Sequence, residues 1–130
     1  MDTATKRHFE QILISARAAF SDVIVIRHDI SEERAILKLE CRWETNDIRI
    51  TEIVTLNVRW YSYYQLREGK VLRGYDNYSD RPALRLKYGR EFTQHLYEPI
   101  PHLHEADEIT LTDEMTFAEF IAIVTAEKVV

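Results

Sequence analysis

The sequence contains little of several residue types, and each scarcity excludes a class of protein. Cys41 is the only cysteine, so no disulfide can form within the chain and a reducing compartment is expected. The longest uninterrupted apolar run is Phe120–Val124, far short of the roughly 20 residues that a membrane-spanning helix needs. No apolar segment near the N-terminus has the character of a secretory signal. These absences predict a soluble cytoplasmic protein with no membrane partner.

Charge and length narrow the class further. The formal net charge of −5 argues against broad, nonspecific nucleic-acid binding, which requires a dominant positive field. The 130 residues fit one domain, spanning 1–130. With 45% hydrophobic residues the chain has enough apolar material to build a core. The composition predicts one compact domain.

The two ends of the chain carry helical signals. Near the N-terminus, apolar residues recur at helical spacing from about residue 4 to 20, and Asp2 or Thr3 is available as the N-cap. Near the C-terminus, Thr116 and Glu119 have the S/T-x-x-E spacing of a capping box and open a predicted helix over 117–126.

Between the helices the pattern is that of strands. A period-2 alternation from residue 35 to 43 predicts a strand with one buried face. It resumes from Ile48 to Trp60 with one interruption at Glu52, which predicts one bent strand or two strands with a bulge. Gly69 predicts a hairpin turn, and residues 79–98 read as a loop with a short helix. The fold expected is α+β: an N-terminal helix, a mostly antiparallel sheet of about five strands, and a C-terminal helix.

Three of the five histidines, His95, His102 and His104, fall within ten residues. In an extended segment His102 and His104 point to the same side. The pair, with His95 and a carboxylate such as Asp76, Glu105 or Asp107, has the donor types of a metal site. Alternatively, two imidazoles supply one proton donor and one acceptor for acid–base catalysis without metal. Ordinary loop histidines are the third interpretation.

Other segments offer candidate binding residues. Asp76 follows Arg73 and Gly74 at a predicted strand end, where its carboxylate is able to orient a histidine. Aromatic residues precede this segment, and among them Tyr63 is a candidate for stacking on a base. A run of four cations with no intervening acid is a candidate phosphate-contacting strip: Arg81, Arg85, Lys87 and Arg90. A solvated loop or a surface for an acidic protein is the alternative for that run.

The segments WYSYYQLREGKVLRGYDN and PHLHEAD together resemble the TumE-like toxins of prokaryotic toxin–antitoxin modules. The resemblance lies in Tyr61–Tyr63, then Arg73 with Tyr75–Asn77, then Pro101-His102 with His104, and it spans roughly residues 35 to 125. The chain departs from the family pattern at Tyr64, where a histidine is expected, and at Gly74 and Leu103. The resemblance implies a type II toxin that acts inside the cell and is neutralised by a cognate antitoxin, often a helix-turn-helix protein.

The leading prediction is a toxin that acts on RNA as a metal-independent endoribonuclease. In it His102 and His104 serve as acid and base, Asp76 orients one of them, and Arg73 with the cationic run holds phosphate. No metal and no cofactor are expected in this interpretation, and a homodimer is compatible with it. Two alternatives remain: a non-catalytic protein-binding module, and a metal-dependent hydrolase that uses His95, His102, His104 and Asp76.

Overall fold

A computed structural model describes residues 3–126 of the chain. Within that range three α-helices, one 3₁₀ helix and seven strands follow one another. Their bounds are α1 Thr3–Ala19, β1 Ser21–Ile30, β2 Arg34–Trp43, β3 Asn46–Thr55, β4 Arg59–Arg67, β5 Lys70–Asp76, α2 Arg81–Tyr88, the 3₁₀ helix Gly89–His95, β6 His102–Glu105, β7 Glu108–Leu111 and α3 Phe117–Ala126. The N-cap proposed at Asp2 lies outside the described residues. No helix in the described range is long and apolar enough to cross a membrane.

The strands form one antiparallel sheet in the order β1-β2-β3-β4-β5-β6-β7, so each strand pairs only with its sequence neighbours. The predicted α+β class, with an N-terminal helix, an antiparallel sheet and a C-terminal helix in chain order, is confirmed. The expected number of about five strands is smaller than the seven observed. The histidine segment itself is a strand, β6, because its backbone pairs with both β5 and β7.

One face of the sheet carries the main hydrophobic core. Alternate residues of β2 to β5, such as Leu39, Ile50 and Tyr75, point toward α1 and α3 and pack against Phe9 and Phe120. Their side chains share this face because residues two apart in a strand point the same way. The intervening residues therefore point to the opposite face, where α2 packs beside β7 over a small second core of Ala83, Leu84 and Ile100.

The interruption of the apolar pattern at Glu52 is not a break in the strand. The pairing of β3 with β2 and β4 runs through Glu52 without a shift, and the chain reverses after Thr55, whose amide donates to the Val58 carbonyl at 2.9 Å. The bulge predicted at Glu52 is thus wrong. The carboxylate is fully buried on the helix-covered face, where the Tyr63 hydroxyl and the His8 imidazole contact it.

Two local predictions are confirmed by backbone geometry. Glu68 and Gly69 both have positive φ, 50° and 79°, and they join β4 to β5 as a tight hairpin. At α3 the Thr116 hydroxyl accepts from the Glu119 amide at 3.2 Å, and the Glu119 carboxylate accepts from the Thr116 amide at 3.1 Å. Both donors of the predicted capping box are therefore satisfied.

Candidate functional site

Strand pairing brings three of the predicted site residues together. In the β5–β6 ladder Asp76 lies directly opposite His102, and Gly74 lies opposite His104. Because Asp76, His102 and His104 share the face that α1 and α3 do not cover, their side chains meet. The Nε2 atom of His102 lies 3.2 Å from Oδ1 of Asp76, and that of His104 lies 3.5 Å from Oδ2. The two Nε2 atoms are 3.0 Å apart.

Asp80 joins this group from the start of α2, and sequence reasoning did not find it. Its Oδ2 atom lies 3.6 Å from Nε2 of His102 and 3.5 Å from Nε2 of His104. Asp80 occupies the N-cap position with extended backbone angles, yet its side chain makes no capping hydrogen bond. Aspartate at this position ordinarily accepts from the helix amides. The four residues Asp76, Asp80, His102 and His104 are called the Asp–His cluster below.

Tyr64, the position where the resembled family has a histidine, is a second residue that was not among the predicted site residues. It lies opposite Gly74 in the β4–β5 ladder, and its hydroxyl donates to Oδ2 of Asp76 at 2.8 Å. A β-carbon on Gly74 would come within 2.2 Å of the Tyr64 ring, so glycine is what allows the ring to cross β5. Burial and the negative charge of Asp76 both raise the pKa of Tyr64. The hydroxyl therefore stays protonated and remains a donor.

Backbone groups fix two members of the cluster from behind. Nδ1 of His102 lies 2.5 Å from the Ile100 carbonyl, and a carbonyl only accepts, so Nδ1 carries the proton. The Tyr78 amide donates to Oδ1 of Asp76 at 3.0 Å. The side chain of His102 is fully buried, whereas those of His104 and Asp80 are 29% and 25% exposed. The cluster thus has a rigid buried side and a side open to solvent.

Arg73 is not brought to the cluster. It lies three residues before Asp76 in β5, and residues an odd number apart in a strand point to opposite faces. Its charge acts instead on Tyr75, which belongs to the main core. Arg73 and Asp76 are close in sequence, but their side chains lie on opposite faces of the sheet and do not form one site.

Two further candidates lie in structural surroundings. Tyr63 is fully buried in the core and its hydroxyl contacts Glu52 and Arg59, so it is not available to stack on a base; this corrects the expectation from sequence. His95 stacks face to face on Tyr88 with ring centroids 3.6 Å apart, and its Nδ1 lies 2.6 Å from a Glu98 oxygen. His95 therefore belongs to the 3₁₀ segment rather than to the cluster.

The cationic run is divided by the helix that carries it. Arg81 and Arg85 are one turn apart in α2 and so project from the same side, beginning next to Asp80. The Arg85 guanidinium also lies 4.6 Å from the centre of the Phe92 ring. Lys87 lies over Tyr88, and Arg90 is exposed in the 3₁₀ helix. Arg81 and Arg85 are thus the two cations of the run that share one side of α2, and Arg81 directly follows Asp80.

An open cleft of about 830 Å³ adjoins the cluster. Tyr64, His104 and Lys70 line it together with three acids around the β6–β7 turn, Glu105, Asp107 and Glu108. Three carboxylates against one lysine disfavour a phosphate there. The cleft and the α2 cations therefore offer two chemically different approaches to the same cluster.

The cluster also has the composition of a metal site. Donor atoms of Asp76, His102 and His104 all lie within 4.8 Å of one another. Imidazole nitrogen and carboxylate oxygen are common ligands of divalent transition metals. The same groups are able to transfer protons, so both kinds of chemistry are open to the cluster.

Comparison with known proteins adds no relative to this description. No protein-family model, no curated protein and no solved structure matches the chain. The assignment of a function therefore depends on the side chains themselves.

Proposed function

We propose that the chain is a ribonuclease toxin of a toxin–antitoxin pair and that the Asp–His cluster is its active site. The observation that carries this proposal is the convergence of two carboxylates and two imidazoles at one sheet position, with one side open to solvent. Burying ionisable groups costs free energy unless they are paired. Asp80 also gives up an N-cap interaction to face the imidazoles. Departures from local structural rules of this kind concentrate at functional sites.

The two-histidine mechanism expected from the sequence is not the one that this geometry favours. An acid and a base that act on the two ends of one phosphodiester must both reach the substrate. His102 is fully buried, and its Nε2 lies only 3.0 Å from that of His104. No phosphate fits between them. His102 is thus a positioning residue in this proposal.

The open side of the cluster consists of Asp80 and His104, and it is there that RNA would approach. The Asp80 carboxylate is placed to accept the proton of a ribose 2′-hydroxyl. The 2′-oxygen then attacks phosphorus, the bond from phosphorus to the 5′-oxygen breaks, and that oxygen takes up a proton from water. The products are a 2′,3′-cyclic phosphate and a 5′-hydroxyl end.

Charge favours one direction of approach. Arg81 and Arg85 extend from Asp80 along α2 and are exposed, so they provide positive charge for backbone phosphates. The cleft beside Tyr64 and His104 is lined by three acids and one lysine, which disfavours a polyanion. We therefore place the RNA backbone along α2. The antitoxin as partner follows from the sequence resemblance alone.

A second candidate function is a non-catalytic protein-binding module, and one observation favours it. The edge strand β1 exposes three consecutive apolar side chains, Ile24, Val25 and Ile26, at 57%, 40% and 48%. An apolar edge strand is a template for the addition of a strand from another chain. A toxin that binds its antitoxin through β1 would combine both functions.

The test is cleavage of single-stranded RNA by the purified protein. We expect Asp80→Asn and His104→Ala to lower the rate at least tenfold. The matched control is His28→Ala, which alters an exposed histidine of β1. Charge reversal at Arg81 and Arg85 should raise KM more than Arg17→Glu, because Arg17 is exposed on α1 beyond the opposite face. If the wild type does not cleave RNA, or if Asp80→Asn and His104→Ala cleave it as fast as the wild type, the enzyme is excluded and the binding module is favoured.

A further inference from the structure

Three donor atoms of the cluster stand at the spacing that a single metal ion imposes on its ligands. The distances are 3.0 Å between the two Nε2 atoms, 3.2 Å from His102 to Asp76 and 3.5 Å from His104 to Asp76. Ligands bound 2.0–2.1 Å from a metal lie about 3.4 Å apart at tetrahedral angles and about 3.0 Å apart at right angles. The observed spacings fall at these values.

Several polar atoms surround the inner nitrogen of His102. Nδ1 of His102 donates to the Ile100 carbonyl, so Nε2 is the ring nitrogen that faces the cluster. That atom has three nitrogen or oxygen neighbours within 3.6 Å, one each from His104, Asp76 and Asp80. A single added proton points at only one of them. A cation placed among the donors contacts several at once.

Outer hydrogen bonds of the kind that support metal ligands are already in place. The Ile100 carbonyl fixes the tautomer of His102, and the Tyr64 hydroxyl and the Tyr78 amide each bind one oxygen of Asp76. Metal-binding histidines and carboxylates are ordinarily held by such partners, which orient the ligand atom inward. Gly74 belongs to this support because it makes room for Tyr64.

We infer that Asp76, His102 and His104 bind one divalent transition-metal ion, such as Zn²⁺, and that Asp80 accepts a hydrogen bond from the water on that ion. Two nitrogens and one carboxylate oxygen suit Zn²⁺ or its first-row neighbours better than Ca²⁺ or Mg²⁺, which prefer oxygen ligands. Asp80 faces both imidazoles from α2 on the exposed side, where a water ligand would lie. The dication also balances the two carboxylates.

This inference concerns the centre proposed above for RNA cleavage, but metal binding is measurable without RNA. The protein is freed of metal with a chelator, and Zn²⁺ is titrated by calorimetry, with Mg²⁺ as the hard-cation comparison. Co²⁺ absorption in the visible range reports the ligand set independently. We expect one Zn²⁺ per chain and a rise in the thermal unfolding midpoint, because binding to the native state stabilises it.

The variants separate ligands from their neighbours. Asp76→Asn and His104→Gln should weaken Zn²⁺ binding at least 100-fold, and Tyr64→Phe about tenfold, as the loss of a supporting hydrogen bond does. Asp80→Asn should bind Zn²⁺ within a few-fold of the wild type while RNA cleavage is lost. His28→Ala is the surface control. Circular dichroism of each variant checks folding. His104 is chosen as the histidine ligand to replace because it is partly exposed, so the buried His102 stays unchanged.

The outcomes distinguish this inference from the proposed function. Stoichiometric Zn²⁺ binding that is lost in folded His104→Gln supports the metal site even where RNA is not cleaved, which would contradict the ribonuclease. If the protein cleaves RNA but binds none of the transition metals, the ribonuclease is supported and the metal site is contradicted. The inference would be overturned if the wild type fails to bind Zn²⁺ at millimolar concentration. It would also be overturned if Asp76→Asn and His104→Gln bind Zn²⁺ as tightly as the wild type.

Discussion

The Asp80 carboxylate lies 3.6 Å from Nε2 of His102 and makes no hydrogen bond to the helix that Asp80 begins. Thr116, at the start of α3, does the opposite and binds the Glu119 amide. The two positions therefore allow an aspartate that does not cap its helix to be compared with a threonine that does.

We predict that Asp80→Ala changes the free energy of unfolding by less than about 0.5 kcal/mol, because no capping bond is lost. Thr116→Ala should cost about 1 kcal/mol, the usual value for a lost N-cap. Urea denaturation followed by circular dichroism measures both. A loss at Asp80→Ala equal to that at Thr116→Ala would mean that Asp80 stabilises α2 after all.

Gly74→Ala should destabilise the fold through Tyr64. The added methyl group would lie 2.2 Å from the Tyr64 ring, so the ring must leave its place on β5, and we expect a loss of about 1–3 kcal/mol, as for other overpacked sites. In a Tyr64→Ala background the same substitution should cost much less. The double-mutant cycle from thermal and urea unfolding gives the coupling. Equal costs in both backgrounds would place the strain elsewhere.

Glu52→Ala should be among the most destabilising changes. The carboxylate is fully buried and contacts His8, Arg59 and Tyr63, so its removal takes one acceptor from each of them, at a cost of about 3–5 kcal/mol. The control is Glu114→Ala, which removes the exposed partner of the same Arg59 and should cost less than about 1 kcal/mol. Similar losses at the two positions would contradict the importance of burial.

We expect the buried thiol of Cys41 to lower the free energy of unfolding at alkaline pH. Burial raises the pKa of its thiol from 9.0 to about 12. Above pH 9 the unfolded chain therefore releases this proton while the native chain keeps it, and the free energy of unfolding falls as the pH rises from 9 to 12. Comparison with Cys41→Ala isolates the contribution, because all other groups are common to both. The wild type should lose stability more steeply than the variant; parallel profiles would contradict the raised pKa.

The parts of the fold that were predictable from sequence depend on local signals. The alternation of β2, the β4–β5 hairpin at Gly69 and the capping box of Thr116 each involve residues within a few positions of one another. The interruption at Glu52 misled because alternation reports polarity, and a buried carboxylate with long-range partners looks like a break. Its partner His8 is 44 residues away.

The candidate site was predictable only in part for the same reason. Asp76, His102 and His104 stood out as residue types, although only the β5–β6 register shows that they meet. Asp80 and Tyr64 were missed because one requires the orientation of a helix cap and the other requires the β4–β5 register. Arg73 and Asp76 are three residues apart, so a strand that continues through Asp76 places them on opposite faces of the sheet. This was predictable from sequence only if β5 was recognised as extending to Asp76.

The strictly sequential order of the sheet has a consequence for biosynthesis. Each strand from β2 to β5 is able to pair with its predecessor as it emerges from the ribosome, because that partner directly precedes it in the chain. The Asp–His cluster, in contrast, is completed only when β6 docks on β5. A nascent chain that has formed most of its sheet would therefore still lack the complete cluster, which forms only with the last hairpin.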